Sequence, residues 1–258
     1  MIQEQFAEQV RKIVQEDASV IGLAVAGSWL TNEMDEFSDL DLILVTKEKM
    51  TGDKARMLAY AARFGRLLTA FTGEHVGEPR LLICLYDDPL LHVDIKFMTL
   101  GEMDTQIETP VILYDSGGQL QSKISQAKTG YPYPGYQWIE DRFWIWIHYT
   151  LVKIARGEYF ETLDSLAYLR KTIFGPLLHI RNGQLPKGVR RVETSLAARD
   201  LERLRSILAE DNKTSLIKAI QNAVRLYSGL RAELFSKDIV LQEATRKRII
   251  EFLQTMKD

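Results

Sequence analysis

A short proline-rich segment, residues 131–136, lies in the middle of the chain. It reads Tyr-Pro-Tyr-Pro-Gly-Tyr, and alternating prolines forbid a helix there. Apolar runs of strand length occur only before this segment, whereas apolar residues recur at helical spacing after it. A chain of 258 residues is long enough for two domains. The sequence therefore predicts an α+β protein with a domain boundary near residue 130.

The first half has the elements of a small mixed sheet with flanking helices. Strands are predicted at about 20–26, 40–46, 80–86, 91–98 and 111–114. The turn signal Asp-Asp-Pro at 87–89 predicts a hairpin between the third and fourth of these strands. Helical spacing predicts helices over 2–17, 53–72, 137–155, 158–174, 196–209, 213–234 and 240–256, with a kink or an end at Gly175-Pro176. We expect a mixed-sheet domain over 1–130 and a helical bundle over 131–258.

Composition indicates a cytoplasmic protein. The single cysteine, Cys84, lies within an apolar run, which predicts a core thiol and excludes an internal disulfide. The N-terminus lacks a basic segment followed by an apolar core, and no apolar stretch approaches the length of a membrane span. We therefore expect no signal peptide and no membrane partner.

The net charge of −2 hides an asymmetry between the halves. Residues 1–130 carry 12 Lys and Arg against 20 Asp and Glu, a balance of −8, and residues 131–258 carry 21 against 15, or +6. An acidic half that gathers cations beside a basic half suits a ligand that carries both metal and phosphate. Such imbalances are also common between ordinary domains, so both interpretations stay open.

Two aspartates, Asp39 and Asp41, lie where the second predicted strand begins. Side chains two positions apart on a strand point to the same face, so these carboxylates are expected to project together. Adjacent carboxylates repel each other unless a cation lies between them, and hard divalent cations prefer oxygen ligands. A third acid, Asp94, lies among apolar neighbours in a later strand, where a carboxylate must be paired, ligated or exposed. If the strands are neighbours, the three acids can converge on one or two Mg²⁺ ions.

A Gly27-Ser28 turn follows the first predicted strand. Glycine lets the backbone approach a ligand closely, and Ser28 adds a hydroxyl donor. A helix starting there would present free N–H groups to an anion. The turn is therefore expected to hold phosphate.

Gly27-Ser28, ten intervening residues and Asp39-Leu40-Asp41 resemble the signature of the nucleotidyltransferase superfamily that includes DNA polymerase beta and kanamycin nucleotidyltransferase. Asp94 matches the third carboxylate of that family. The resemblance covers residues from about 20 to 98, and beyond them only the general layout of a catalytic domain followed by helices is similar. Many relatives read Gly-Ser-x-Ala-Arg-Gly, whereas this chain has Thr31 and Asn32 at the last two positions.

The resemblance implies a fold, an activity and a set of site residues. Asp39, Asp41 and Asp94 would bind two Mg²⁺ ions and act in catalysis. Gly27, Ser28 and Ser38 would bind the nucleotide, which is ATP or another nucleoside triphosphate. The implied partners are this nucleotide and a small hydroxylated acceptor, with no nucleic acid, and the oligomeric state stays open.

The helical half supplies further candidates. Glu140 and Asp141 lie in an aromatic helix, and one of them is a candidate general base for the acceptor hydroxyl, as antibiotic-modifying relatives imply. The structural alternatives are carboxylates favoured by the helix dipole, or a hydrogen-bonded pair of Asp141 with His148. Arg170 falls on an apolar helix face, where its guanidinium must meet a carboxylate or the triphosphate. Glu158, Glu161 and Asp164 form an acidic patch that is either a solvated face or a site for a cationic acceptor.

The leading hypothesis is Mg²⁺-dependent transfer of a nucleoside monophosphate, AMP, to a hydroxyl of a small molecule, with release of pyrophosphate. Antibiotics are among the candidate acceptors. A second hypothesis is a nucleotide-sensing or toxin–antitoxin module with an RNA-directed helical domain. It depends on the basic second half and on the spacing of Arg142 and His148, which is similar to a ribonuclease motif. A third is a nucleotide-binding protein without acceptor chemistry.

Overall fold

The proline-rich segment lies between two halves of different architecture. A computed structural model describes residues 1–31 and 33–256 of the chain, and its two structural units are Met1–Tyr131 and Pro132–Asp258. The first unit is a mixed sheet with helices and the second is helical. The predicted α+β class is confirmed.

In chain order the elements of the first unit are α1 (Ile2–Val14), β1 (Val20–Val25), β2 (Leu40–Thr46), α2 (Lys54–Ala61), β3 (Arg66–Gly73), β4 (Glu78–Asp87), β5 (Leu91–Met98), β6 (Thr105–Gln106), β7 (Val111–Asp115), α3 (Gln119–Gln126) and β8 (Lys128–Thr129). Six of these strands form one sheet in the order β3-β4-β5-β2-β1-β7. The neighbours β2 and β5 are parallel, and the other four neighbouring pairs are antiparallel. A separate parallel pair joins β6 and β8.

The two faces of the sheet are covered differently. Helices α1 and α2 pack their apolar side chains, such as Val10 and Met57, into the main core on one face. Helix α3 packs Leu120 into a smaller core on the other face. Leu42 of β2 belongs to the main core, and side chains alternate along a strand. Asp41 therefore projects to the face opposite the main core.

Residues 66–73 correct the predicted helix over 53–72. Helix α2 ends at Ala61, and Arg66–Gly73 form strand β3 at the edge of the sheet, antiparallel to β4. Leu68 and Phe71 of this strand are each about half exposed. An edge strand buries little of its apolar surface, so its sequence lacks the alternation of apolar and polar residues that identifies a strand. The leucines of β3 instead matched the spacing of a helix.

The second unit is built around α4, whose side chains Phe143, Trp144 and Ile147 are fully buried. Its elements are α4 (Tyr136–Ala155), α5 (Tyr159–Leu169), α6 (Gly175–Arg181), α7 (Val192–Ser195), α8 (Ala198–Arg205), α9 (Lys213–Leu234) and α10 (Glu243–Thr255). The predicted irregularity at Gly175-Pro176 takes the form of a π-helical segment, Arg170–Phe174, that joins α5 to α6. Pro176 lies in the first turn of α6, directly after this π-helical segment.

Helices that could cross a membrane, by length and apolar character together, are absent from the described residues.

Candidate active site

The Gly27-Ser28 turn packs directly against Asp41. Residues Gly27–Trp29 form a single 3₁₀ turn after β1, so the helix start expected there is one short 3₁₀ turn. Gly27 has a φ of +65°, and a Cβ atom built on it would lie 1.9 Å from Oδ2 of Asp41. Glycine is required here both by the left-handed backbone and by the carboxylate beside it.

Asp41 and Asp94 are partners on neighbouring parallel strands. The register of β2 and β5 places Asp41 opposite Asp94, Leu42 opposite Ile95 and Leu40 opposite Val93. Both aspartates are partly buried, and both project from the face opposite the main core because their neighbours point into it. The structure thus brings together two of the three carboxylates that the sequence singles out.

The third carboxylate, Asp39, lies one residue before β2 and is close enough to influence Asp94 electrostatically. Burial raises the pKa of the Asp94 carboxyl, and the negative charge of Asp39 raises it further. His92 acts in the opposite direction, since its Nε2 lies 2.9 Å from Oδ1 of Asp94. The fold therefore places the negative charges of Asp39 and Asp94 close together.

The loop that delivers Asp39 is anchored by a buried glutamine that the sequence did not single out. Nε2 of Gln3, in α1, donates to the carbonyl oxygens of Asp35 at 2.9 Å and Ser38 at 2.8 Å. The Ser38 hydroxyl is bonded within the same loop: it donates to Oδ1 of Asp35 at 3.0 Å and accepts from the Asp35 N–H at 2.9 Å. Ser38, predicted to bind the nucleotide, has contacts that shape the loop before Asp39. Asn32 lies outside the described residues.

The three aspartates fit a magnesium site in their chemistry and their backbone placement, since all are oxygen donors at one edge of two adjacent strands. Within 1–31 and 33–256, however, the side chains form no ready cluster of three metal-ligating groups. One oxygen of Asp94 is engaged by His92, and one oxygen of Asp41 lies against Gly27. Any ion would have to draw these carboxylates together.

Glu108 is a second site residue that the sequence did not reveal. Its Oε1 accepts a hydrogen bond from the Gly27 N–H at 2.8 Å. Glu108 lies in the irregular segment between β6 and β7, far from any motif, and its side chain is partly buried. No feature of spacing or periodicity marks such a residue.

Glu140, a predicted catalytic residue, has the environment of a structural carboxylate. It is fully buried in the second unit. Its Oε1 accepts from Arg231 at 3.1 Å and from the Gln242 N–H at 2.9 Å, and its Oε2 accepts from the Tyr227 hydroxyl. A carboxylate so enclosed has no exposed oxygen for a substrate, and we do not propose a catalytic role for Glu140.

Asp141 is exposed, and it accepts hydrogen bonds from Gln137 at 2.8 Å and from Gln242 at 3.3 Å. The predicted pair of Asp141 with His148 is wrong: His148 is also exposed, and its ring contacts Phe252. Seven positions along a helix correspond to about 10 Å of rise, too far for this pair to bond directly.

Arg142 and His148 do not meet either. The guanidinium of Arg142 lies over the Trp138 ring, 4.5 Å from its centroid, and donates to the Trp138 carbonyl. Six positions separate Arg142 and His148, which places them about 9 Å apart along the helix and on different faces. This geometry does not favour the RNA-directed alternative.

Arg170 is partly buried at the start of the π-helical segment. It donates to the carbonyl of Ile207 at 3.4 Å, and burial lowers the pKa of its guanidinium. In the described part of the chain no carboxylate forms an ion pair with it. A desolvated guanidinium without an anionic partner is a suitable place for an anion.

Residues 7–70 match the family model described as a nucleotidyltransferase domain. The matched range includes Gly27, Ser28, Asp39 and Asp41, and it ends before Asp94. The first unit therefore carries a nucleotidyltransferase domain, and such a domain indicates a transferase enzyme. A search of curated proteins found no match to the chain.

Among the solved structures that the chain resembles is an aminoglycoside 6-adenyltransferase from Bacillus subtilis, with a TM-score of 0.39 and 13% identity over 98% of this chain and 98% of that one. A nucleotidyltransferase-like protein from Exiguobacterium sibiricum 255-15 has a TM-score of 0.38 and 10% identity, over 98% of this chain and 80% of that one. Similarities this distant assign no activity to the chain.

Proposed function

We propose that the protein transfers a nucleoside monophosphate, AMP, from ATP or another nucleoside triphosphate to a hydroxyl group of a small molecule. In this reaction the acceptor oxygen bonds to the α-phosphorus, the bond from that phosphorus to the bridging oxygen breaks, and pyrophosphate leaves. The hydroxyl proton passes to a base. The observation that carries the proposal is the pairing of Asp41 with Asp94, with the Gly27 turn against Asp41.

The three aspartates are assigned to binding the metal ions, and through them the substrates. Asp39, Asp41 and Asp94 would hold two Mg²⁺ ions, and Asp94 would lie nearest the attacking oxygen. When bound, the ions would neutralise charge on the phosphates and on the attacking and leaving oxygens. Without cations, three carboxylates at one edge would repel the triphosphate, so nucleotide binding should require Mg²⁺.

The Gly27-Ser28 turn is assigned to the phosphates. Gly27 brings the backbone close to Asp41, so a phosphate bound at this turn would lie beside the metal ligands. The Ser28 hydroxyl, which has no hydrogen-bond partner among the described residues, adds a donor. Ser38 would contribute by holding the loop before Asp39, through its bonds to Asp35.

In the helical unit, Asp141 is the remaining candidate for the general base, because its carboxylate is exposed whereas that of Glu140 is enclosed. Arg170 is a candidate for binding an anionic group of the nucleotide or of the acceptor. Both assignments follow from the chemistry of the side chains within that unit.

The acceptor is proposed to be a small hydroxylated molecule, with antibiotics among the candidates. The predicted acidic patch does not favour a polycation, since Lys153 bridges Glu158 at 2.5 Å and Glu161 at 3.8 Å, and Arg156 bridges Glu158 at 2.6 Å. These lysine and arginine charges offset the carboxylates. The cytoplasmic location and the exclusion of nucleic acid stay predictions of the sequence.

The test is a screen of the four common nucleoside triphosphates with Mg²⁺ against hydroxylated antibiotics, nucleotides and proteins, read as pyrophosphate release. Asp39→Asn should abolish release and leave folding intact. Glu36→Gln removes an exposed carboxylate from the same loop and should release pyrophosphate as the wild type does. Nucleotide binding by calorimetry without release from any acceptor would favour the binding protein without chemistry.

A further inference from the structure

The N–H group that a phosphate would use at Gly27 already has an anionic partner within the chain. Oε1 of Glu108 accepts this N–H at 2.8 Å, and the two residues are 81 positions apart. A hydrogen bond from a backbone N–H to a carboxylate is charge-assisted and is stronger than one between neutral groups. Oε1 of Glu108 thus occupies the position that an oxygen of a bound phosphate would take.

This contact places two carboxylates around one glycine. Asp41 lies against the Cα atom of Gly27 while Glu108 holds its N–H, and the described residues place no lysine or arginine in an ion pair with Glu108. A second negative charge beside Asp41 is unfavourable unless a cation is bound nearby. One N–H group forms one strong hydrogen bond at a time, so Glu108 and a phosphate oxygen cannot both accept the Gly27 N–H.

We propose that Glu108 is an internal competitor for the phosphate position of the Gly27 turn. In the nucleotide-free protein its carboxylate holds the Gly27 N–H, and a phosphate oxygen must displace it. After transfer the returning carboxylate promotes departure of pyrophosphate by taking the N–H back. The inference rests on the proposed function, since it assumes that the turn receives phosphate.

The competitor role predicts that removing the charge of Glu108 strengthens nucleotide binding. Glu108→Gln keeps the size of the side chain and leaves a weaker, neutral acceptor on the Gly27 N–H. The dissociation constant of ATP with Mg²⁺, measured by calorimetry, should fall roughly three- to tenfold, the range expected when binding no longer displaces a charged hydrogen-bond partner. The dissociation constant of pyrophosphate should fall by a similar factor. Glu36→Gln, which removes an exposed charge from the same unit, should leave both constants unchanged.

A second readout follows the contact itself. In protein labelled with ¹⁵N-glycine, the Gly27 amide proton should resonate upfield in Glu108→Gln relative to the wild type, because the carboxylate hydrogen bond is lost. Addition of ATP with Mg²⁺ should bring the two proteins to the same shift.

These measurements distinguish failure of the competitor role from failure of the proposed function. An unchanged or larger dissociation constant in Glu108→Gln, while the wild type binds ATP, overturns the competitor role and leaves the proposed function standing. Larger constants in the variant would mean that Glu108 assists binding as a further metal ligand. Failure of both proteins to bind ATP and pyrophosphate overturns the proposed function, and the competitor role with it.

Discussion

The carboxylate of Asp41 lies against the Cα atom of Gly27 with no space for a methyl group between them. A Cβ atom on Gly27 would come within 1.9 Å of Oδ2 and 2.9 Å of Cγ of Asp41. Asp41 is itself fixed opposite Asp94 by the parallel pairing of β2 and β5. The turn and the two carboxylates are therefore one packed arrangement, and a change at Gly27 alters the placement of Asp41.

Gly27→Ala should lose both activity and stability. The new methyl group must displace Asp41, and φ of +65° is strained for alanine. We expect a loss of more than about 3 kcal/mol in the free energy of unfolding, as is typical when a steric clash and backbone strain act together. Urea denaturation measures the loss.

Gly77→Ala is the matched control for this substitution. Gly77 has a similar φ of +75°, but a Cβ atom there would meet nothing within 4 Å. This variant should lose only about 1–2 kcal/mol, the cost of left-handed backbone in a residue with a side chain. Equal losses in the two variants would show that Asp41 moves aside without cost.

Glu140→Gln should destabilise the second unit. Glu140 is fully buried and pairs with Arg231, so the substitution leaves the largely buried guanidinium of Arg231 with part of its charge compensation removed. Breaking a buried ion pair costs roughly 3–5 kcal/mol, measured as the free energy of unfolding in urea. Glu243, which also contacts Arg231, should keep the loss toward the lower end of that range.

Asp141→Asn should lower turnover and leave stability almost unchanged. Asp141 is exposed, so its loss should change the free energy of unfolding by no more than about 0.5 kcal/mol. As the proposed general base it should lower kcat for the acceptor reaction. A stable Glu140→Gln with lost turnover, beside a fully active Asp141→Asn, would reverse the two assignments.

Glu78 should make stability depend on pH in acid. The Arg80 guanidinium, with help from Lys96, lowers the pKa of Glu78 from 4.5 to about 2. Because the folded pKa is the lower one, the stabilisation is present above pH 4.5 and is lost as the pH falls toward 2. The free energy of unfolding of the wild type should exceed that of Glu78→Gln by roughly 1–3 kcal/mol at pH 7, and this difference should disappear only below about pH 2. A difference that is constant with pH would contradict this origin.

The sequence predicted the parts of the fold that follow from local patterns. The strands that carry Asp41 and Asp94 are apolar runs, and the motif placed both acids correctly on them. The edge strand β3 was missed because Leu68 and Phe71 are exposed and, among the described residues, it pairs with β4 alone. Edge strands owe their conformation to that pairing rather than to their own periodicity.

Residues whose roles depend on distant partners were beyond the sequence. Glu140 was a candidate base through the resemblance to antibiotic-modifying relatives, but Tyr227, Arg231 and Gln242 enclose it. These partners lie far along the chain, on or beside other helices. Glu108 and Gln3 act on the Gly27 turn and on the Asp39 loop in the same way, through contacts that no local pattern encodes.

We propose that Asp41 and Asp94 act as one carboxylate pair in nucleotidyl transfer. The most direct measurement is pyrophosphate release from ATP with Mg²⁺ and the acceptor found by the screen, compared between wild type and Asp94→Asn. Circular dichroism should show both proteins folded, since the substitution removes a partly buried charge without changing the size of the side chain. We expect one pyrophosphate per modified acceptor in the wild type and loss of both products in Asp94→Asn. Turnover at the wild-type rate in folded Asp94→Asn would contradict it.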